Sequence, residues 1–417
     1  MTTITRLNQL CSDYAEFESH TLSLMASANY SPPEIRSLSS SSLTNITTEG
    51  FPGNRFHPGS DIADRVEEIA IEEACAAFSC SYANVQPHSA SSANASVLLE
   101  FVQPNQTIMG LRLASGGHLT HGSSVSFSGR IFNSQPYDLT NQILDYDKIR
   151  AHARSVRPTM IICGASAYPR NICFESFSNI ARDVGATLLA DISHIAGLVI
   201  AGLHESPLGK AQIVTTSTYK QLAGPRGGII LSDSVDDAIR GEKLNRSVFP
   251  LTQGTPDISN IAAKAAALAW TRTNKFTQTM KTTLKLASQL ADKLLESGFK
   301  LITGGTDTHM ILLDLRPQKL SGAEAEKALE AVGILANKNL IPGDPTSPVV
   351  TSGLRLGTNI LAARGFDLEG ISRLSKILVD VLTHSDSGAA KSDCTALAGD
   401  VKELCGQYPI PDNLLKD

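Results

Sequence analysis

The chain has 417 residues, of which 42% are hydrophobic, and its 36 Lys and Arg stand against 41 Asp and Glu for a net charge of -5. This composition is that of a globular chain long enough for two domains. The absence of a basic cluster argues against nucleic acid or an anionic membrane as the main partner, so we expect a small-molecule partner. No apolar run is as long as a membrane span, which needs about 18 residues, and the first residues lack an apolar signal core. These two features predict a cytoplasmic location.

The cysteines predict a reduced protein. There are seven of them, an odd number, and none forms a CxxC pair. Neither a disulfide framework nor a thiolate zinc site is therefore expected.

The first 45 residues are predicted to form a helical segment, with a helix up to about Leu24 that breaks at Ser31-Pro32-Pro33. A segment this short cannot hold a core of its own, so we expect it to pack on the main body or on a partner subunit.

The stretch from Leu43 to Gly59 is rich in Gly, Pro and Asn, which argues against a regular element. It places Glu49, Arg55 and His57, three chemically capable groups, on a constrained loop. A plain surface loop is the alternative. A helix is predicted after it, over 62–77, because apolar and acidic residues recur there at helical spacing.

A run of small polar residues, His88 to Asn94, precedes a helix predicted over 95–102. Free N–H groups at a helix N-terminus suit a phosphate, although serine there is also an ordinary N-cap. The loop 116–122 then carries His118 and His121. No third ligand lies near them in the sequence, so we predict no metal and instead an imidazole lying on an aromatic cofactor.

Strands and helices alternate from residue 159 onward, which predicts a mostly parallel sheet buried on both faces, with ligand groups at the carboxyl ends of its strands. The strands predicted at 159–163, 187–190 and 213–218 end beside a set of polar residues, namely Ser166, Asp191, His194 and Lys220. Their shared position predicts a single site.

Lys220 is the candidate nucleophile, between Tyr219 and a glycine-rich turn that contains Arg226. Because a free lysine has a pKa of about 10.4, an amine that attacks a carbonyl must be desolvated or lie near a cation. A solvated lysine at a strand end is the alternative.

One long helix is predicted from Pro256 to about Leu295, linking the large domain (46–255) through 256–300 to a smaller domain (301–417). In that domain we predict a strand (310–315), a helix (323–332), a loop (337–345) and a glycine-flanked strand that carries Arg355. A guanidinium there can clamp a carboxylate, with an edge-strand salt bridge as the alternative.

Together these groups are those that a pyridoxal-phosphate enzyme acting on an amino acid requires. The sequence resembles the serine hydroxymethyltransferase family over nearly the whole chain. The matching stretches are Leu43-Thr-Asn, Glu49-Gly-Phe-Pro-Gly, Ala83-Asn-Val-Gln-Pro-His-Ser, Gly116-Gly-His-Leu-Thr-His-Gly, Ala165-Ser-Ala-Tyr-Pro-Arg, His194-Ile-Ala-Gly-Leu-Val, Gly224-Pro-Arg-Gly-Gly and Val350-Thr-Ser-Gly-Leu-Arg.

The resemblance implies the aminotransferase-like fold of fold-type I pyridoxal-phosphate enzymes: an α/β large domain on a mostly parallel sheet, a smaller α/β C-terminal domain, and a site shared across a homodimer. It implies that Lys220 forms the Schiff base and that Asp191 keeps the pyridine nitrogen protonated. The further implied roles are phosphate binding by Ser89, Ala90, Ser91 and Thr255, ring stacking by His118, contacts near the phenolic oxygen by Ser166 and His194, substrate-carboxylate binding by Ser27 and Arg355, proton transfer at the β-hydroxyl by Glu49, and a folate pocket with Leu113, Gly117, Leu119 and Asn339.

The sequence departs from the family's pattern at positions that would touch cofactor or substrate. Ala28 replaces a glutamate, Thr47 a tyrosine, Phe56-His57-Pro58 a Tyr-Tyr-Gly run, Tyr219 a histidine and Thr255 a glycine. Thr47 and His57 would open space at the substrate and bring a titratable imidazole toward it.

We therefore predict an enzyme that makes or breaks the Cα–Cβ bond of a β-hydroxy amino acid of the serine, threonine and glycine class, including an α-methylserine or transaldolase variant. Lys220, Glu49, His57 and Tyr219 are the predicted catalytic residues, and Thr47 joins the substrate site. Housekeeping tetrahydrofolate-dependent exchange is the alternative, and a catalytically silent pyridoxal-phosphate-binding paralogue is the alternative outside enzymes. The sequence leaves the amino acid, the one-carbon donor and the choice between dimer and tetramer open.

Overall fold

The computed structural model describes residues 2–233, 237–384 and 391–411. These residues form two compact units. The small unit comprises the described residues of Met1–Ala28 and Lys281–Leu414, and the large unit comprises those of Asn29–Met280. The sequence predicts domain limits at 45, 255 and 300, which differ from the limits of these two units, and those domain limits stay a prediction.

The strands follow one another along the chain as β1 (Leu22–Ser23), β2 (Gly50–Phe51), β3 (Asn54–Arg55), β4 (Tyr82–Asn84), β5 (Thr107–Met109), β6 (Asn133–Ser134), β7 (Met160–Cys163), β8 (Thr187–Asp191), β9 (Ile213–Ser217), β10 (Gly228–Ser232), β11 (Lys300–Leu301), β12 (Met310–Asp314), β13 (Ile334–Leu335), β14 (Asn337–Asn339) and β15 (Gly353–Gly357).

The α-helices are α1 (Thr3–Ser19), α2 (Pro33–Ser39), α3 (Asp61–Phe78), α4 (Ala90–Phe101), α5 (Phe127–Ile131), α6 (Tyr146–Val156), α7 (Phe174–Val184), α8 (Ala196–Ile200), α9 (Asp237–Val248), α10 (Ile258–Thr271), α11 (Asn274–Glu296), α12 (Gly322–Ala331), α13 (Asn359–Ala363), α14 (Leu368–His384) and α15 (Lys391–Gln407). Among the described residues, no helix has both the length and the hydropathy to cross a bilayer.

The large unit is built on a seven-stranded sheet with the spatial order β4-β10-β9-β8-β7-β5-β6. The neighbours from β9 to β6 run parallel, whereas β10 pairs antiparallel with both β9 and β4. Every residue of β7 and of β9 is buried, as expected for strands covered on both faces. The predicted α/β fold with a mostly parallel sheet is confirmed.

The small unit has its own antiparallel sheet with the order β11-β12-β15-β14. Its core includes Leu313, Leu354, Leu356 and Ile371, all buried. The segment 337–339, predicted as part of a loop, is strand β14, because it pairs with β15 in this sheet. Helices α13, α14 and α15 follow the last strand of this sheet along the chain.

Two predicted helices differ from the structure for identifiable reasons. The N-terminal helix ends at Ser19 rather than near Leu24, because Leu22–Ser23 pairs with Ile334–Leu335 as a parallel strand. The single helix predicted from 256 to 295 is two helices, α10 and α11. The second one starts anew because the Thr273 hydroxyl accepts a hydrogen bond from Phe276 N.

The loop predicted over 43–59 contains a short hairpin. Strands β2 and β3 pair across the turn Pro52-Gly53, and Gly53 adopts φ +71°, which favours glycine there. The Glu49 and His57 positions flank this hairpin.

Candidate active site

A cavity of about 190 Å³ lies in the large unit where β7, β8 and β9 end. Its volume is several times the roughly 30 Å³ that one water occupies, so it has room for a small ligand. It brings together the larger part of the predicted site: its lining includes Ser89, Ala90, Ser91, His118, Ser166, Asp191, His194, Tyr219 and Lys220.

Lys220 reaches this cavity just beyond β9. The residue is only 8% exposed, which rules out the alternative of a solvated lysine at a strand end. The backbone turns back after it, because Gly224 N donates to Thr218 O (2.9 Å) and Thr218 N donates to Gly227 O (3.2 Å). This turn brings the Arg226 guanidinium over the ring of Tyr219, 4.5 Å from its centroid, within cation–π range.

Asp191 is the last residue of β8 and is buried. Its carboxylate accepts hydrogen bonds from Asn94 Nδ2 (2.8 Å), His121 Nε2 (3.0 Å) and the Ser193 hydroxyl (2.6 Å). Burial alone would raise the pKa of Asp191, but the hydrogen bond and charge of His121, the charge of His118 and the Ser193 hydroxyl hold it below its ordinary value. Asp191 is therefore an ionised carboxylate at the cavity wall.

His118 precedes the short turn that carries His121. Its Nδ1 lies 2.7 Å from the Thr120 hydroxyl and accepts from Thr120 N (3.2 Å). Burial, together with the charges of His121 and Lys220, lowers the pKa of His118 to about 4 against the opposing charge of Asp191. His118 is thus a neutral imidazole whose orientation is fixed through one ring nitrogen.

The N-terminus of α4 meets the same cavity. Ser89 is its N-cap and forms a capping box with Ser92: the Ser89 hydroxyl accepts from Ser92 N (3.0 Å) and Ser92 Oγ accepts from Ser89 N (2.9 Å). The predicted alternative role of serine as a cap is therefore real for Ser89. Within the described residues, the backbone N–H groups of Ala90 and Ser91 donate to no protein acceptor, so they remain for an anion.

These groups match the parts of pyridoxal phosphate. A buried amine suits its aldehyde, an ionised buried carboxylate suits a protonated pyridine nitrogen, and a helix N-terminus suits its phosphate. The close approach of β10 to that terminus depends on Gly228, where a Cβ would lie 2.3 Å from Ser89 O and 2.9 Å from Ala90 N. The residues present therefore fit the cofactor.

Several predicted site residues lie elsewhere. Glu49, Thr47, His57 and Thr255 belong to the large unit but are not among the described residues that line its cavity. Thr47 is exposed, and Glu49 and His57 are half-buried.

The predicted substrate and folate residues divide between the units. Leu113 and Leu119 lie in the loop around His118 and are exposed by 37% and 45%, with Gly117 between them. Ser27, Arg355 and Asn339 belong to the small unit. There Arg355 Nη2 donates to Asn337 Oδ1 (3.2 Å).

The sequence reasoning missed residues that hold the site together. Asn94 ends the polar run that begins at His88, and it donates to Asp191 and accepts from the Thr215 hydroxyl (2.6 Å). Ser193 is the second such residue, and its position two residues after Asp191 is the signal that could have found it.

No third ligand lies near His118 and His121 in the sequence, but the fold brings Asp191 to them. Asp191 completes a group of three whose ligand atoms lie within 4.8 Å of one another. The hydrogen bond from His121 to Asp191 explains this clustering inside the cofactor cavity.

The α/β fold, the buried lysine and the ionised aspartate define the class of fold-type I pyridoxal-phosphate enzymes. The sequence matches the family model described as serine hydroxymethyltransferase over residues 4–378. It is 45% identical over 401 residues to "Serine hydroxymethyltransferase" of Prochlorococcus marinus (strain MIT 9301), covering 96% of this chain and 93% of that protein.

Two further relatives have the same name and similar identity. The Nostoc punctiforme protein is 44% identical over 408 residues, with 97% and 94% of the two chains covered. The Methanosarcina barkeri protein is 43% identical over 398 residues, with 95% of each chain covered. The chain belongs to the serine hydroxymethyltransferase family, a family of transferases that use pyridoxal phosphate as cofactor and tetrahydrofolate as a substrate.

Proposed function

We propose that this enzyme makes and breaks the Cα–Cβ bond of a β-hydroxy amino acid, with the conversion of serine to glycine and transfer of its hydroxymethyl carbon to tetrahydrofolate as its main reaction. The observation that carries the proposal is the cavity that combines the buried amine of Lys220 with the ionised carboxylate of Asp191. The relatives' names support the same reaction.

When bound, pyridoxal phosphate supplies an aldehyde and a ring that withdraws electrons from the amino acid's α-carbon. Lys220 would hold the cofactor through its Nζ. Asp191, kept anionic by its hydrogen bonds to Asn94, His121 and Ser193, would hold a proton on the ring nitrogen. His118, neutral at physiological pH, would pack against the ring without adding a charge.

The proton at the β-hydroxyl needs an acid–base group, and Glu49 takes this role. Glu49 does not line the cavity of its own chain among the described residues. We therefore propose a homodimer in which the partner supplies this loop and that of Thr255. Helix α1 supports an assembly, because it has no buried residue and exposes Ile4, Leu7, Leu10, Tyr14 and Phe17.

A specialised substrate is the second candidate. Tyr219 lines the cavity next to Lys220 with Arg226 over its ring, so a phenol stands where the family has an imidazole. With Thr47 and His57 also changed, a bulkier or α-substituted β-hydroxy amino acid or another aldehyde acceptor is favoured. All seven cysteines are free thiols, which supports a reducing location such as the cytoplasm.

The test compares kcat/KM of the purified protein for L-serine with tetrahydrofolate against threonine, α-methylserine and D-alanine, with and without tetrahydrofolate. The main proposal predicts the highest value for serine with tetrahydrofolate. A higher value for threonine cleavage or for α-methylserine would establish the specialised substrate instead. Turnover of none of them would identify a silent paralogue.

Tyr219→His separates the two candidates further, because it restores the family's residue. If Tyr219 sets specificity, this variant changes the ratio of kcat/KM between serine and the larger substrates. Tyr82→Phe, which removes a hydroxyl bonded to Asn245 Oδ1 (2.7 Å) and absent from the cavity lining, is the matched control and leaves the ratio unchanged.

A further inference from the structure

Lys264 is a second buried lysine of the large unit, in α10 and only 2% exposed. Its Nζ donates to three backbone carbonyls: Val85 O (2.6 Å), Pro87 O (3.0 Å) and Gly228 O (3.2 Å). An ammonium has three N–H donors, so all of them are used on main-chain oxygens.

Burying a cation that has no directly bonded carboxylate costs free energy, and the pKa of Lys264 reflects that cost. Burial lowers the pKa of Lys264 to about 7, against the attraction of Asp257 and Glu67. A buried leucine or methionine would avoid that cost but would leave the carbonyls of Val85, Pro87 and Gly228 without this donor. The role of the ammonium should therefore be sought in the backbone segments that it binds.

Those segments flank the cofactor cavity. Val85 and Pro87 lead into His88, Ser89 and the start of α4, whereas Gly228 follows the lining residue Gly227. The two segments are joined directly, because Gly228 N donates to Pro87 O (2.9 Å).

Gly227 lies against the lysine itself, and a Cβ there would come within 2.2 Å of Lys264 Cε. The ammonium thus sits behind the N-terminus of α4. It draws three carbonyl oxygens toward itself, and these oxygens would otherwise add negative potential near an anion site.

We propose that Lys264 is a positioning residue for the cofactor phosphate: its ammonium gathers the carbonyls of Val85, Pro87 and Gly228 so that the N–H groups of Ala90 and Ser91 face the phosphate. This inference rests on the proposed assignment of the phosphate to the N-terminus of α4. It assigns Lys264 no contact with substrate and no step of the reaction.

The small unit offers a matched control. Arg364 is 4% exposed, and its guanidinium donates to the carbonyls of Ser19, Thr21, Cys405 and Tyr408. It is likewise a buried cation that holds backbone carbonyls, in a unit that does not contain the cavity. A loss of stability alone should therefore look alike in Lys264 and Arg364 variants.

The experiment measures dissociation constants of pyridoxal phosphate and of pyridoxal, which lacks the phosphate, for the cofactor-depleted full chain by absorbance titration. The variants are Lys264→Met, Arg364→Met and Ser91→Ala. We expect Lys264→Met to weaken pyridoxal phosphate binding about tenfold or more, the scale of one hydrogen bond to a charged group, while pyridoxal binding changes less than about twofold. Arg364→Met is expected to lower the melting temperature and leave the ratio of the two constants unchanged.

The outcomes separate the role of Lys264 from the assignment of the phosphate to the N-terminus of α4. If Ser91→Ala raises the ratio of the pyridoxal phosphate dissociation constant to the pyridoxal dissociation constant and Lys264→Met does not, the role of Lys264 is refuted and the phosphate site stands. If neither variant changes the ratio, both the role of Lys264 and a phosphate contact from the Ser91 side chain are refuted. Should the methionine variant not fold, the same titration is made with Lys264→Gln, which removes the charge and has two N–H donors on a side chain one bond shorter.

Discussion

Arg55→Met should destabilise the protein in a way that depends on pH. The Arg55 guanidinium donates to Glu67 Oε2 (2.7 Å), Asp64 Oδ1 (2.7 Å) and Gly50 O (2.8 Å). Glu67 has a side chain that is 1% exposed, and without Arg55 its remaining donor among the described residues is Gln86 Nε2 (2.8 Å). Removing one partner of a buried ion pair typically costs about 3–5 kcal/mol.

Glu67 can limit that cost by taking up a proton. Burial raises the pKa of Glu67 above its ordinary value, against the lowering effects of Arg55 and Gln86. A carboxyl with a raised folded-state pKa stabilises the fold when it is protonated. Its contribution to the free energy of unfolding is full below the unfolded-state pKa and is lost as the pH rises through the folded-state pKa. Protonating it costs about 3.7 kcal/mol at pH 7 and about 1 kcal/mol at pH 5, from an ordinary pKa of about 4.3 and 1.36 kcal/mol per unit.

The destabilisation from the unpaired Glu67 charge is therefore at most about 3.7 kcal/mol at pH 7 and about 1 kcal/mol at pH 5. Urea unfolding of wild type and Arg55→Met at both pH values measures the difference, and the variant's deficit should shrink at pH 5. Arg55→Met/Glu67→Gln is the control, because it carries no buried charge and its deficit should not vary between the two pH values. An Arg55→Met deficit that is the same at both pH values would refute the reasoning.

Three further predictions concern the cavity. Lys220→Ala removes the amine that holds the cofactor. Mass spectrometry after borohydride reduction should therefore find the cofactor's mass on the wild-type protein and not on the variant. An adduct on the variant would place the attachment at another residue. Asp191→Asn removes the charge that holds the ring-nitrogen proton and should lower kcat by about tenfold or more, on the scale of one charged hydrogen bond, with bound cofactor retained in the absorbance spectrum; an unchanged kcat would contradict its role. Gly117→Ala should weaken pyridoxal phosphate binding in the absorbance titration described for Lys264. The added Cβ would come within 1.9 Å of Leu111 O and displace the loop beside His118. An unchanged affinity would show that the loop adapts.

The strand-end residues were predictable from the sequence because their pattern is local. Asp191 ends an apolar run and Lys220 follows a β-branched run, and both runs are too short for a helix. In a parallel sheet such strands end at the same edge. The two residues therefore had to approach each other once the sheet was recognised, whatever the details of the helices between them.

The supporting contacts were not predictable, because they join positions far apart in the chain. Asn94 lies 97 positions from Asp191, and Lys264 lies 179 positions from Val85. A lysine in an alanine-rich helix normally lies on the solvated face. Only the fold reveals that this face of α10 lies behind the loop that leads to the cavity.

The departures from the family's pattern at Thr47 and at 56–58 adjoin a backbone segment that is held by hydrogen bonds from both sides. Gly50 O, next to Glu49, accepts from both Arg55 Nη1 (2.8 Å) and Gln86 Nε2 (2.9 Å). The segment around Gln86 is in turn held by Lys264 at the preceding and following carbonyls, and by Gln253 at its own carbonyl (3.0 Å). Side chains such as His57 can therefore change without moving the main chain that carries Glu49, because the hydrogen bonds that fix that main chain come from buried residues and not from the exchanged ones.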